Sequence, residues 1–544
     1  MKKLLIIIAT LTLIPSLRAE TPPARPNVLI IYTDDLDFDE VGAYDPMKYP
    51  TATAERAASG KPIKENKRYV KPLTPNIDRL INESMDFSQM RMVTTVCTPA
   101  RYSLLTGQYC SRSKSLQEKW PVSGPACVEF NTDIFPGQWS LPQAMHAAGY
   151  FTGIVGKWHM SEIHRNAGFL RPPICEYTGK ANGNQDPTDP ENARRVRENY
   201  AEAVKYLKEH EGFDFVSSIY MGNANSLGLP KPLWEQENNV EWFTAGVVKF
   251  LEQQTNSGKP FFLYFAPNVP HGGNDKFVTV DPRMTPEGVV DWHLGIQPSR
   301  ADVKARALAA GHKVNFWETW LDDGVGVILK KLEDLGLATN TIVIFSSDQQ
   351  SRGKWTCYEG ARVPFTVRWP GKVKAGSRCD ISLASIDMVP TLLELCGGKL
   401  PEKDQAIVDG RSFAPCLAGG KVEERPVLIE MGFGRALVWH GWKYIALRWP
   451  EKMAADIKKN DIKIHSYIAP RRNELAKNSM DAADGDFPAL GDADQLFDLN
   501  ADMLEQHNLA GDPKYAAKLA EMKKLLAETI APLPHVFGEF KTAK

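Results

Sequence analysis

The stretch "NVLIIYTDD", residues 27–35, places an unbroken apolar run directly before two adjacent carboxylates. A continuous run, rather than one alternating with polar residues, reads as a strand buried on both faces, the kind parallel sheets use. Three further runs repeat the pattern: "YFTGIVG" (150–156), "FFLYFA" (261–266) and "TIVIFSS" (341–347). Between them lie helical patterns such as "TPNIDRLINES" (74–84) and "TWLDDGVGVILKKLEDLGL" (319–337). Strands alternating with helices predict an α/β fold, a doubly wound, mostly parallel sheet flanked by helices.

In such a sheet the ligand crevice lies at the carboxyl ends of the strands. The four runs lead there into Asp34 and Asp35, into Lys157, Trp158 and His159, into Pro270 and His271, and into Asp348 and Gln349. Each strand therefore ends in ionisable or metal-liganding groups, a convergence that says more than any single motif. An Asp pair alone is most simply a turn and a helix cap. Together with Asp348 and the Gln349 amide, however, Asp34 and Asp35 form a hard oxygen set that suits Ca²⁺ or Mg²⁺. Lys157 and His159 are two apart and share one side of an extended segment. His271 at a strand end is a candidate for acid–base duty. Lys354, in "SRGKWTCYEGARVP" (351–364), follows closely behind Asp348.

The 544 residues suffice for one large α/β domain with a smaller one appended. With 65 basic and 66 acidic residues the net charge is −1, which leaves no global field for nucleic acid or an anionic membrane. The opening "MKKLLIIIATLTLIPSLRAE" reads as a signal peptide over 1–19, its apolar run too short for a membrane anchor. The mature chain is thus expected to be exported, periplasmic or secreted, with no anchor after cleavage. The α/β domain is expected over 24–424. A smaller C-terminal subdomain follows over 425–544, where "RPVLIEM" (425–431) and "RALVWHGWKYIALRW" (435–449) suggest an antiparallel sheet, closed by a helix from Pro513 to Ile530. Polar stretches at 45–72, 160–200 and 451–490 read as surface insertions that shape the substrate pocket.

Eight cysteines show no C-x-x-C pair and no zinc spacing. Cys110, Cys127, Cys175, Cys357, Cys379, Cys396 and Cys416 read as buried thiols with one or two bridges among them. Cys97 is different. In "VCTPARYSLLTG" (96–107) Pro99 fixes the start of a helix, so Cys97 lies near a helix N-terminus with Arg101 one turn on, a place that attracts an anion. The C-x5-R loop of cysteine phosphatases is excluded, because position 103 is a serine.

These residues resemble the type I sulfatase family of the alkaline phosphatase superfamily. "PNVLIIYTDD", "TPNIDRL", "CTPAR" with its downstream "LLTG", "GKWH", "PH", "SSDQ", "YEGARVP" and "LFDL" fall in the family's order across nearly the whole mature chain. The resemblance implies sulfate ester hydrolysis, on sulfated carbohydrates, with Cys97 oxidised by a maturation enzyme to formylglycine, whose hydrate attacks sulfur. It implies one Ca²⁺ held by Asp34, Asp35, Cys97 in its modified form, Asp348 and Gln349. Arg101 and Lys157 would stabilise the hydrate, His159 orient it, and His271 and Lys354 sit on the leaving side, His271 as general acid. Ala100 and Gln349 stand where many relatives have serine and asparagine. Glu359 and Arg362 read as a structural ion pair. A phosphonate or phosphate monoester hydrolase using the same cradle is the alternative within the superfamily. A catalytically silent carbohydrate-binding protein is the alternative of another class, disfavoured because a decayed site rarely keeps all these groups.

Overall fold

The computed structural model describes residues 25–44, 70–160, 186–223, 233, 238–255, 257–271, 275–403, 405–469 and 487–542. The expected signal peptide, Cys175 and most or part of each expected insertion lie outside the described residues. The main sheet has eight strands: β1 (Asn27–Thr33), β2 (Met85–Asp86), β3 (Phe151–Lys157), β4 (Phe215–Tyr220), β5 (Phe261–Ala266), β6 (Thr341–Ser347), β7 (Phe365–Arg368) and β8 (Ser377–Arg378). Their order is β8-β2-β7-β6-β1-β5-β3-β4. β6, β1, β5, β3 and β4 run parallel, with Val28 opposite both Phe262 and Ile342, while β7 pairs antiparallel with β6 and β2. The expected α/β class and mostly parallel sheet are what the structure has.

The unbroken apolar runs are explained by helices on both faces. Val28, Ile30 and Tyr32 of β1 face one core, shared with α2 (Cys97–Thr106), α3 (Leu141–Ala147), α4 (Pro190–His210) and α7 (Met388–Cys396). Leu29 and Ile31 face the other, shared with α1 (Pro75–Asn82), α5 (Val240–Gln254) and α6 (Trp317–Asp334). Alternate side chains of a strand point to opposite faces, so a strand covered on both sides has no position left for a polar residue until its end. There the pattern breaks into Asp34, Lys157 and Asp348.

A second sheet, antiparallel and four-stranded, comprises β9 (Val427–Met431), β10 (Gly434–Trp439), β11 (Trp442–Leu447) and β12 (Asp494–Asp498) in sequence order. The turn Pro513–Tyr515 leads into α8 (Ala516–Ile530), which packs on β10 and β11. This sheet shares a core with Val93, Val96, Cys357 and Tyr358, residues that flank the Cys97 and Lys354 segments. The seven described cysteines are all buried and free. Among the described residues no helix is long and apolar enough to cross a membrane.

One irregularity in the main sheet aims the site. The register of β3 on β4 shifts between Val155 and Gly156. Gly156 has φ +101°, and a Cβ there would lie 2.1 Å from the Ala266 carbonyl oxygen. Only glycine fits this kink, which turns the following Lys157 into the crevice.

Candidate active site

The carboxyl ends of the central strands are tied edge to edge by backbone bonds, Asp34 N to the Val269 carbonyl (3.2 Å) and Asp348 N to the Thr33 carbonyl (3.0 Å). This brings Asp34, Asp35 and Asp348 together, with one oxygen from each within 4.8 Å of the others. Cys97 arrives from below them as the first residue of α2, whose preceding Val96 is extended and whose end is the left-handed Gly107 at φ +67°. The Cys97 thiol donates to Asp34 Oδ1 over 3.3 Å and lies 3.2 Å from Gln349 Nε2 and 3.8 Å from Lys354 Nζ.

Three cations answer the three carboxylates. Arg101, with no exposed surface, spreads one guanidinium across the crevice floor. Its Nη2 donates to Asp34 Oδ2 (3.1 Å) and Asp348 Oδ2 (3.0 Å), and its Nη1 to the Lys157 carbonyl (3.1 Å) and the Tyr264 hydroxyl (3.3 Å). Lys157 Nζ donates to Asp34 Oδ2 over 2.6 Å. Lys354 Nζ bridges both oxygens of Asp35 at 2.6 and 2.8 Å. His271 Nε2 stands 3.9 Å from Asp35 Oδ2. His159, in left-handed conformation (φ +59°), presents its ring to Phe130 at 5.8 Å, and Phe130 meets Trp355 at 5.1 Å. The structure therefore gathers Asp34, Asp35, Cys97, Arg101, Lys157, His271, Asp348, Gln349 and Lys354 into one cluster. His159, two residues beyond Lys157, packs against Phe130.

The electrostatics follow from burial and these partners. Burial opposes ionisation of Asp34, but Lys157, His271, Arg101 and Lys354 together hold its carboxyl well below the usual range. Burial, then Asp34, push Asp348 up to about 7 against Arg101. Burial also pushes the Cys97 thiol up to about 12, with Asp34 adding to it and Lys157 and Lys354 opposing. Cys97 is thus a protonated thiol at neutral pH, and the thiolate is the nucleophilic form. His271 is driven down to about 4 by burial and by Lys157, against Asp34.

Gln349 tests whether a metal fits. Its Nε2 donates to Asp35 Oδ1 and Cys97, while its buried Oε1 has no hydrogen-bond partner. A buried carbonyl oxygen without a partner is costly and rare. The amide stands beside Asp35 and Cys97, next to the three carboxylates, and with its oxygen turned toward them it would complete an all-oxygen donor set that fits a hard divalent cation. With three carboxylates balanced by Arg101, Lys157 and Lys354, a divalent ion would leave the crevice positive and ready for an anion.

Two residues of the site were not singled out from the sequence. The Tyr264 hydroxyl receives Arg101, and the Tyr32 ring lies 5.5 Å from the Arg101 guanidinium carbon. Both sit inside apolar strands, where a tyrosine reads as core; the only signal is a hydroxyl placed within an apolar run. Glu359 pairs with Arg352 (2.6 Å), a partner the motif did not suggest, and Arg362 stacks on Phe38 at 4.9 Å.

The sulfatase family model matches residues 26–398. The chain belongs to the sulfatase family. That membership makes it a sulfuric ester hydrolase. Among its relatives, N-acetylgalactosamine-6-sulfatase of Canis lupus familiaris is 26% identical over 439 residues, covering 76% of this chain and 70% of that one. N-acetylglucosamine-6-O-sulfatase of Bacteroides thetaiotaomicron is 24% identical over 549 residues, covering 93% and 86%. The sulfatase fold is also similar to the phosphonate monoester hydrolase of Agrobacterium radiobacter, with a TM-score of 0.53, 17% identity and coverage of 94% of this chain and 95% of that one.

Proposed function

We propose that this sulfatase is exported and hydrolyses sulfate esters on carbohydrates, using Cys97 after conversion to formylglycine and one Ca²⁺ held by Asp34, Asp35, Asp348, Gln349 and the modified Cys97. The observation that carries the reading is the enclosure of Cys97 by three carboxylates and three cations while burial keeps its thiol protonated near pKa 12. A cysteine acting as thiolate would need the opposite shift. The position serves instead as a precursor, and Arg101, one turn along α2, belongs to both the maturation signal and the finished site. Relatives that act on 6-sulfated amino sugars support a sulfated carbohydrate substrate. The α/β region 24–424 would supply the catalytic groups and 425–544 the supporting subdomain.

Each side chain has a task set by its place. The bound cation would supply Lewis acidity toward a sulfate oxygen. Lys157 and Arg101 hold Asp34 Oδ2 while residue 97 meets Asp34 Oδ1, and they are assigned to stabilise negative charge on the nucleophilic oxygen. His159 is assigned to orient that hydroxyl. Lys354 lies 3.8 Å from the Cys97 sulfur and draws the sulfate group toward it. His271, partly exposed, is assigned to protonate the departing alcohol. It is neutral in the free protein, and the negative substrate supplies the field that lets it take up a proton. His159 then helps to remove the proton of the remaining hydroxyl, the bond to sulfate breaks, and residue 97 returns to its aldehyde form.

The deciding experiment is to make the protein beside a maturation enzyme, find an aldehyde at position 97 in the tryptic peptide Met92 to Arg101, and measure sulfate release from 6-sulfated amino sugars and aryl sulfate with Ca²⁺. Release only from the aldehyde-bearing protein is expected. No release by folded, converted protein from any of these would refute the reading. The similarity to a phosphonate monoester hydrolase keeps that second activity in view, and faster turnover of aryl phosphate or phosphonate than of aryl sulfate would select it.

A further inference from the structure

Apart from the Cys97 cluster, a cavity of about 480 Å³ lies where the main sheet meets the C-terminal sheet, with Gln89, Arg91, Arg362, Lys443 and Glu505 in its wall. No residue assigned above to the Cys97 site lines it. Arg91 is 5% exposed, and its Nη1 donates to the Gln89 carbonyl (3.0 Å) and to Gln89 Oε1 (3.2 Å). Its remaining guanidinium N–H groups have no partner among the described residues, and no described carboxylate lies within ion-pair distance of it. Of the other charges in the wall, Lys443 is answered by Glu505 at 2.5 Å, Arg378 by Asp380 and Glu359 by Arg352 at 2.6 Å, while the Glu424 carboxylate has His440 at 3.8 Å. Arg91 instead bridges through its backbone to Arg362, another cation.

A buried charge is ordinarily paired, because removing it from water without a partner is expensive. Burial and then Arg362 disfavour the Arg91 charge, with Glu505 opposing them, and its pKa is taken down to about 9. An anion in the cavity would add to the Glu505 field and oppose both. A guanidinium fork with free N–H groups matches an oxyanion in two-point geometry. The volume falls within the range of small-molecule sites and leaves room for more than a lone ion.

We propose that this cavity is a second, non-catalytic binding site for a sulfate oxyanion, anchored by Arg91. The choice of sulfate among oxyanions rests on the function proposed above; the need for an anion does not. The sulfate would come either free, as released product, or carried on a saccharide.

The test uses full-length Cys97→Ala protein, in which turnover is absent, with sodium sulfate and galactose 6-sulfate titrated by calorimetry at constant ionic strength. In a Lys354→Ala background, which weakens the catalytic cradle, saturable binding of one ligand per chain is expected to persist. Adding Arg91→Met should abolish it or weaken it at least about tenfold, and Arg91→Lys should retain part of it. Galactose 6-sulfate binding tighter than free sulfate identifies the glycan as source; equal binding identifies the free ion; both support the site. Equal affinity and stoichiometry in Arg91→Met, or no binding in the Lys354→Ala background, would overturn it. Arg91→Met in matured protein should keep aryl sulfate turnover, which shows that the fold is intact. Absence of turnover in every protein would count against the proposed function and leave the calorimetric result standing.

Discussion

Lys157 Nζ and Asp34 Oδ2 meet at 2.6 Å, in a pair with essentially no exposed surface. Removing Lys157 leaves Asp34 with one ion pair, to an Arg101 that it shares with Asp348. Lys157→Met is expected to lower stability by about 3–5 kcal/mol, measured by denaturant unfolding of EDTA-treated protein. Lys157→Met with Asp34→Asn should recover a large part, because no unpaired charge remains. Equal losses in the single and double variants would show that the pair is not the source.

Two thiols with opposite shifts should label in opposite order. Cys379, lowered to about 7 by a hydrogen bond from Cys416, is largely thiolate at pH 8, whereas Cys97, pushed up to about 12, is thiolate in about one molecule in ten thousand. Iodoacetamide at pH 8 should modify Cys379 first and spare Cys97 in unconverted native protein, as read by peptide mass mapping. Early labelling of Cys97 would contradict the burial described here.

His271 gives a pH dependence with a definite sign. Its pKa is about 4 in the folded protein, below the 6.5 of an unperturbed imidazole, so the unfolded state binds more protons between those values. Its contribution to stability is full above pH 6.5 and falls as pH drops from there to about 4. His271→Gln should flatten that part of the stability profile in EDTA-treated protein. NMR of the imidazole should report it neutral at pH 6 and show its pKa rising when an anion occupies the crevice.

The partnerless Gln349 oxygen separates metal binding from folding. Ca²⁺ should raise the melting midpoint of the parent protein and EDTA should reverse the rise. Gln349→Leu, read by scanning calorimetry, should melt within a few degrees of the parent in EDTA yet lose most of the Ca²⁺-dependent increase. A full Ca²⁺ response in Gln349→Leu would remove this residue from the ligand set.

Gly156→Ala would force a side chain to φ +101° with its Cβ 2.1 Å from the Ala266 carbonyl oxygen. A loss of at least about 2 kcal/mol of stability is expected from backbone strain and overpacking together. Activity per folded molecule should fall as well, because Lys157 is the next residue. Unchanged unfolding would mean that the bulge relaxes elsewhere.

The parts of the site carried by strand ends were legible in the sequence. A strand covered on both faces is apolar until it leaves the sheet, so Asp34, Lys157, His271 and Asp348 stand out against their own runs. Lys354 and Cys97 were legible only through motifs, because nothing local says that Lys354 reaches back to Asp35 or that Cys97 rises beneath Asp34. Tyr264 and Tyr32 were hidden, since a tyrosine among apolar residues has the same pattern whether or not its ring or hydroxyl receives a guanidinium. Likewise the Gly156 bulge depends on the neighbouring strand's carbonyl and leaves no trace in the periodicity. The expected bridges among the cysteines have no counterpart among the seven that are described, all of which are buried and free.

The enclosure of Cys97, with no exposed surface, makes its chemistry a matter of timing. Lys157, Gln349 and Lys354, which crowd around its sulfur or beside the carboxylate it touches, all lie downstream in the chain. During synthesis the "CTPAR" segment stays open until the last of them has been made, and once the crevice closes no large catalyst can reach the sulfur. If Cys97 is converted as proposed, the yield of active protein is decided by a race between oxidation and collapse. Conditions that slow folding should then raise the active fraction, even where they lower the total amount of folded protein.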